Sequence, residues 1–188
     1  DNIDFCMASA QKGIMAMTGL SFVIGRTAEV EKSKNYPVRS FYCNLYQQYA
    51  GFEKNGEMRF TPPVQTVYAA LQGLKEYYAE GEMPKHERHL RVNRAIHEGV
   101  AKLGLKEAIK PEIQSGLVVS VLYPDDPAWD FGKVHDYCYE RGFTIYPGKI
   151  SSSGTFRLCS LGAIDESDIK DFFVVFTEAF DKLGIRHE

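Results

Sequence analysis

Three residues combine a reactive or charged side chain with a local pattern that could put it to use. Lys12 stands in the small-residue run Ala8-Ser9-Ala10-Gln11-Lys12-Gly13, directly after a strand-like segment. A lysine held beside a pocket and stripped of water loses affinity for its proton, and the neutral amine attacks carbonyl carbon. In water the same residue is one solvated lysine among many. Thr61 begins Thr61-Pro62-Pro63 ahead of an apolar-periodic run, a helix-start pattern. A hydroxyl beside free backbone N–H groups suits a phosphate, and it also serves as an ordinary helix N-cap. Arg157 lies in Thr155-Phe156-Arg157-Leu158, behind the loop Ser151-Ser152-Ser153-Gly154. Its guanidinium fork can take a carboxylate or phosphonate through two parallel hydrogen bonds. Strand alternation equally allows an arginine that faces solvent.

Other patterns carry less. His86 and His89 lie three apart, with His97 further along, but no carboxylate completes a metal set, so they read as a solvated helix face and no metal is expected. Ser151 to Ser153 reads as a flexible turn. Neither Gly-x-Gly-x-x-Gly nor a Walker pattern is present. Cys6, Cys43, Cys138 and Cys159 are scattered without a C-x-x-C, which excludes a zinc knuckle and fits reduced, partly buried thiols in a cytoplasmic protein.

The elements that must position these residues form three blocks. In the first, residues 1–49, Ile3, Phe5 and Met7 alternate as a strand and Leu20 to Gly25 gives a second. Thr27 to Lys32 is expected as a short helix with Thr27 as its N-cap, and Tyr36-Pro37 ends it. Ser40 to Tyr49 is aromatic and partly helical. In the second block, Val64, Val67, Tyr68, Leu71, Leu74 and Tyr78 fall at helical spacing, in a helix closed by Gly81. A further helix follows from Met83 or Pro84, with Leu90, Asn93, Ile96, His97, Val100 and Leu103 inward and Gly104 after it. The third block reads β-α-β-β-α, with strands at Gly116–Tyr123, Phe143–Tyr146 and Thr155–Leu158. Its helices are capped by Asp130 and Asp165, and together they make a small sheet with helices on one face.

The 188 residues, 44% apolar and 25% charged, have the composition of a globular α/β chain. A net charge of −3 gives no positive field to hold a polyanion, so nucleic acid is not an expected partner. Apolar runs such as Leu20 to Gly25 are too short for a bilayer, and no membrane partner is expected. The opening Asp1-Asn2-Ile3-Asp4 has no signal-peptide character. With no initiator Met, and with first residues that read as the end of a strand, the chain is expected to be a piece of a longer protein.

The run Ser9-Ala10-Gln11-Lys12-Gly13, with Gly19 seven residues after the lysine and then Phe22-Val23-Ile24, resembles the cofactor-lysine segment of the class V, fold-type I pyridoxal-phosphate aminotransferases. Glu57-Met58-Arg59-Phe60-Thr61-Pro62-Pro63 resembles the segment that, in this family, enters the active site of the neighbouring subunit. Arg141-Gly142-Phe143-Thr144-Ile145-Tyr146-Pro147-Gly148-Lys149 and Thr155-Phe156-Arg157-Leu158 are most similar to the branch of the family that handles amino-phosphonates. The resemblance spans essentially the whole chain in the right order.

It implies the C-terminal half of a fold-type I enzyme. Residues 1–60 would close the large cofactor domain, residues 61–111 would be linking helices, and residues 112–188 would be a small α/β domain. It implies pyridoxal 5'-phosphate as cofactor and a homodimer. It also implies transamination between a small amino-phosphonate, 2-aminoethylphosphonate, or an amino acid, and pyruvate. Lys12 would hold the cofactor covalently and move the proton, Thr61 would touch the cofactor phosphate of the partner subunit, and Arg157 would hold the anionic end of the substrate. Two features depart from the family. Gly19-Leu20-Ser21-Phe22 stands where relatives have Gly-x-Gly-Phe, and the family's phosphate loop, ring-stacking aromatic and pyridine-pairing Asp have no counterpart here. By this reading the isolated chain is inactive. The other reading is a stand-alone, non-catalytic α/β domain used for dimerisation or interaction.

Overall fold

The computed structural model describes residues 2–148 and 153–187. These fall into two units, residues 1–79 and 80–188, each described by itself.

In the first unit, β1 (Phe5–Ser9) and β2 (Ser21–Gly25) form an antiparallel hairpin with Met7 opposite Val23. Among the described residues these strands pair only with each other, and both are largely exposed. β1 carries Ala8 and Ser9, so the turn starts later than the small residues suggest. The short α1 (Thr27–Lys32) is preceded by Arg26 at the cap position, without a side-chain cap bond; Thr27 is already inside the helix. Asn44 caps α2 (Leu45–Asn55), its side chain accepting from the Gln47 N–H, and Gly56 ends the helix at φ +75°.

Helix α3 (Val64–Glu80) departs from expectation at its start. It begins three residues beyond Thr61, which is therefore not its N-cap. The Pro63 carbonyl accepts the first helical bond, from the Val67 N–H at 3.0 Å. Along its apolar stripe Val64, Val67, Tyr68, Leu71 and Tyr78 are exposed, and the buried residues are Ala70 and Gly73. Small residues let a backbone approach that a leucine would block. A Cβ on Gly73 would lie 2.7 Å from the Ile14 carbonyl oxygen.

In the second unit, Gly81 at φ +90° separates α3 from α4 (Glu82–Lys102). Val92, Ile96 and Val100 of α4 enter the core as expected. Leu90 is exposed instead, while Lys85 and His89, on a face expected to be solvated, are buried. Gly104, at φ +61°, follows the helix, and the Leu105 N–H bonds back to the Val100 carbonyl at 3.1 Å.

The sheet is antiparallel in the order β3 (Val118–Leu122), β5 (Thr155–Cys159), β4 (Tyr146–Pro147). Val119 faces Leu158 and Val121 faces Phe156, and this face enters one core with α4, α5 (Phe131–Tyr139) and α6 (Glu166–Leu183). Helix α6 contributes Ile169, Phe172, Phe176, Ala179 and Phe180, a 3.6-residue stripe. Phe176 is fully buried, and its ring centroid lies 5.7 Å from that of Phe156. The outer edge of β3 is covered by the segment after α4: the Ala108 N–H donates to Ser120 O and the Leu122 N–H to Lys106 O, both at 2.8 Å. The third strand is shorter and later than its sequence suggests. Phe143 to Ile145 do not pair, whereas Pro147 does; an edge strand tolerates a residue without an N–H.

Both expected caps are present. Asp130 accepts from the Lys133 N–H at 3.1 Å, and Asp165 forms a reciprocal capping box with Asp168. No helix among the described residues is long and apolar enough to cross a membrane.

Candidate active site

The turn that carries Lys12 is fixed by its own backbone. Ala10, fully buried, donates to Leu20 O and accepts from the Ala16 N–H, each at 3.0 Å. Between these ties, the Lys12 N–H donates to Ser9 O at 3.2 Å and the Met15 N–H to Lys12 O at 2.9 Å. Met15 adopts φ +58°, the left-handed region that a non-glycine residue enters only when its surroundings impose it. The close approach of Ile14 to Gly73 of α3 supplies that constraint.

Lys12 itself is exposed. Among the described residues, no hydrogen bond or ion pair engages its Nζ. A Cβ on the neighbouring Gly13 would meet nothing within 4 Å, so there is open space beside the lysine. A rigid turn that presents an unpaired amine next to free volume fits a group captured through an aldehyde carbon.

Thr61 is exposed in the loop between α2 and α3. The loop is organised by Arg59, a residue outside the set that sequence pattern singles out as functional. The Arg59 N–H donates to Gln48 Oε1 at 3.2 Å, and its Nη1 donates to Phe41 O at 2.8 Å. The guanidinium carbon lies 4.7 Å from the Phe41 ring centroid and 4.9 Å from that of Phe60. Arg59, Phe60, Thr61, Pro62, Val67 and Tyr68 line an open cavity of about 640 Å³. A signal for it does exist in the sequence: an arginine between Met58 and Phe60, two residues from a hydroxyl, is a cation–donor pair suited to a phosphate.

Arg157 sits on β5, the central strand of the second unit. Phe156 and Leu158 occupy the core face, so Arg157 projects from the other, opposite Ser120 on β3 and Tyr146 on β4. The arginine is half-buried, and its Nε donates to the Pro147 carbonyl at 3.2 Å. Among the described residues, no hydrogen bond or ion pair occupies its two terminal nitrogens. Lys149, Ser151 and Ser152 of the preceding loop lie outside the described residues. Lys12 and Thr61 thus belong to the first unit and Arg157 to the second.

The remaining titratable groups serve structure. Arg88 grips Glu80 through Nε at 2.6 Å and Nη2 at 3.1 Å, and holds the Glu80 carboxyl below its ordinary range. His89 is pushed down by burial, then by the charges of Arg88 and Lys85. His97 joins Glu107 at 2.5 Å and Asn93 at 3.1 Å, tying α4 to the edge of β3. No group of three or more metal-binding side chains is found among the described residues.

The family described as Aminotransferase class-V matches residues 2–152. A 2-aminoethylphosphonate–pyruvate transaminase of Phocaeicola vulgatus is 38% identical over 168 residues, covering 88% of this chain and 46% of the relative. A protein of the same description from Burkholderia lata is 34% identical over 185 residues, covering 97% and 50%. The chain therefore spans about half the length of the curated relatives it matches. Among solved structures, pyridoxamine–pyruvate aminotransferase of Mesorhizobium loti superimposes with a TM-score of 0.86 at 20% identity, over 98% of this chain and 48% of that one. Ureidoglycine–glyoxylate aminotransferase of Bacillus subtilis gives 0.82 at 19%, over 99% and 49%. These likenesses show that the fold is that of the fold-type I aminotransferases.

Proposed function

The chain belongs to the class-V aminotransferase family, and we propose that it is the C-terminal half of a pyridoxal-phosphate-dependent enzyme moving an amino group from 2-aminoethylphosphonate to pyruvate. Residues 1–60 end the cofactor domain, the segment from 61 to the end of α3 links, and α4 joins residues 112–188 in the small domain, whose core its Val92, Ile96 and Val100 enter. The enzyme works as a cytoplasmic homodimer. The observation that carries this reading is the exposed ε-amine of Lys12, without a partner among the described residues, on a turn whose backbone is tied at both ends. The names of the curated relatives support the choice of an amino-phosphonate donor.

When bound, pyridoxal phosphate supplies an electron sink that makes the C–H beside the substrate nitrogen acidic. Lys12 provides the amine that holds the cofactor. The same Nζ, when neutral, would act as the general base that takes a proton from the carbon bearing the substrate nitrogen, and as its conjugate acid would deliver that proton onward. Thr61, with Arg59 beside it, would help hold the phosphate of the partner subunit's cofactor. Arg157 would bind the anionic end of the substrate.

The test is borohydride reduction of the cofactor-loaded enzyme followed by peptide mass mapping. The pyridoxyl label is expected on Lys12, and Lys12→Ala should lose both the label and the transamination. Label on another lysine overturns the assignment. Arg157→Ala should keep the label while weakening binding of the anionic substrate about 10-fold or more, the order of a lost charge-assisted hydrogen-bonded pair.

A further inference from the structure

We propose that the Pro147–Gly148 corner is the positioning element of the anion clamp: the Pro147 carbonyl holds Arg157 Nε and leaves both terminal nitrogens for the substrate. This rests on the reading of Arg157 given above. The guanidinium offers five N–H groups in a rigid plane. Nε donates to Pro147 O at 3.2 Å, which fixes the plane and excludes the side of the fork that uses Nε. What remains is the end-on pair, Nη1 and Nη2, which matches two oxygens of a carboxylate or phosphonate.

The carbonyl is held in turn by its own neighbours. Pro147 lies opposite Phe156, which is fully buried, so the corner is registered against the core. The next residue, Gly148, donates its N–H to Thr155 O at 2.6 Å. A Cβ at position 148 would overlap the Thr155 side chain and approach that same carbonyl to 2.7 Å. Glycine is therefore required by the closeness of β5. Thr155 is itself buried, with its Oγ1 making no hydrogen bond among the described residues, so it has little room to retreat. A side chain at 148 must push the corner, and with it the carbonyl, away from Arg157. An arginine released from its tether keeps its charge but loses its aim, and misplacement on the ångström scale is enough to matter.

The experiment compares wild type, Gly148→Ala and Arg157→Ala in the cofactor-loaded enzyme. The substrates are 2-aminoethylphosphonate and ethylamine, which lacks the anionic group. For Gly148→Ala we expect KM for 2-aminoethylphosphonate to rise about 10-fold with kcat kept within about 2-fold, and amine turnover to stay as in wild type. A purely structural defect would lower turnover of both substrates together, and that result overturns the proposal. A second measurement needs no variant. In arginine-labelled wild-type protein, the Arg157 Nε–H should exchange with water at least about 10-fold more slowly than a free arginine side chain, because it is tethered. Free exchange overturns the proposal, even if Gly148→Ala fails to fold. If Arg157→Ala weakens phosphonate binding but Gly148→Ala does not, only the positioning role falls. If Arg157→Ala leaves phosphonate binding intact, the assignment of Arg157 as the clamp falls with it.

Discussion

Replacing Arg88 by methionine removes four hydrogen bonds from one side chain. Two go to the Glu80 carboxylate, and two run from Nη1 to the carbonyls of Gly162 and Ile164, at 2.9 and 3.2 Å. The residue therefore ties the end of α3 and the start of α4 to the segment that leads into α6. Breaking a fully buried ion pair costs about 3–5 kcal/mol. Here the Arg88 and Glu80 side chains retain 17% and 28% exposure, so water partly replaces the lost partner. Lys85 also stays 3.7 Å from the carboxylate. We expect a loss of about 2–3 kcal/mol, or roughly 30- to 150-fold in the folding constant.

Urea unfolding followed by fluorescence measures this loss, because the single tryptophan, Trp129, packs against Phe156 and Phe180 with ring centroids 5.7 Å away in each case. The midpoint should fall while the slope is unchanged. The Glu80 carboxyl is held low by the Arg88 hydrogen bond, so it binds fewer protons folded than unfolded. Its contribution is complete above the unfolded carboxyl value and is lost as pH falls through the folded one. Methionine at position 88 should flatten that part of the acid limb. A midpoint within about 0.5 kcal/mol of wild type, with the acid limb intact, would refute the reasoning.

Gly99→Ala should cost about 1–3 kcal/mol in the same assay, because the new Cβ would lie 2.2–2.4 Å from atoms of the Phe173 ring; wild-type stability would mean that the ring can swing clear. His89 is buried with its affinity for protons lowered, so stability should fall as pH drops below the ordinary histidine value of 6.5 and on through the folded value. His89→Gln should remove that component, seen as a difference between the two pH–stability curves. The Cys138 thiol is pushed up to about 11 by burial and should resist thiol reagents at pH 8 until the protein unfolds. The exposed Cys6 and Cys43 should react at once, as intact mass after timed labelling would show.

The elements that are legible in the sequence are those whose cause is local. The Asp165 cap and Gly184 bracket α6 within a few bonds of the chain, and α6 runs between them. Alternation in β3 and β5 sets which residues face the core, and Val119, Val121, Phe156 and Leu158 do so. Helix α3 shows where this fails. Periodicity reveals an apolar face but not what covers it, and the face of Val67, Tyr68 and Leu71 is exposed. The packed residues are Ala70 and Gly73, whose selection by closeness leaves no hydrophobic signal. Lys85 and His89 defeat pattern reading for a related reason: polar residues on a helix suggest solvent. Their burial follows from Val92 and Ile96 turning the same helix into the core.

The site is legible as a set of residue types and not as geometry. For Lys12, sequence spacing allows a solvated side chain as readily as an anchored one. What spacing does not give is the shape of the turn, which the left-handed Met15 and the bond from Ala16 back to Ala10 fix, and on that turn the Lys12 side chain is exposed. For Arg157, alternation fixes the face of the strand but leaves open whether the guanidinium floats. An arginine on an exposed sheet face retains most of its rotamer entropy, worth about 2 kcal/mol, and ordering it needs a compensating bond. The Pro147 carbonyl supplies that bond from ten residues upstream, on a different strand, and no local pattern could encode it. The same bond restricts the ligand: with Nε engaged, the arginine can offer only its terminal pair. A small anionic group with two oxygens side by side meets that requirement, so the chemistry proposed for the site follows from how the arginine is held as much as from its charge.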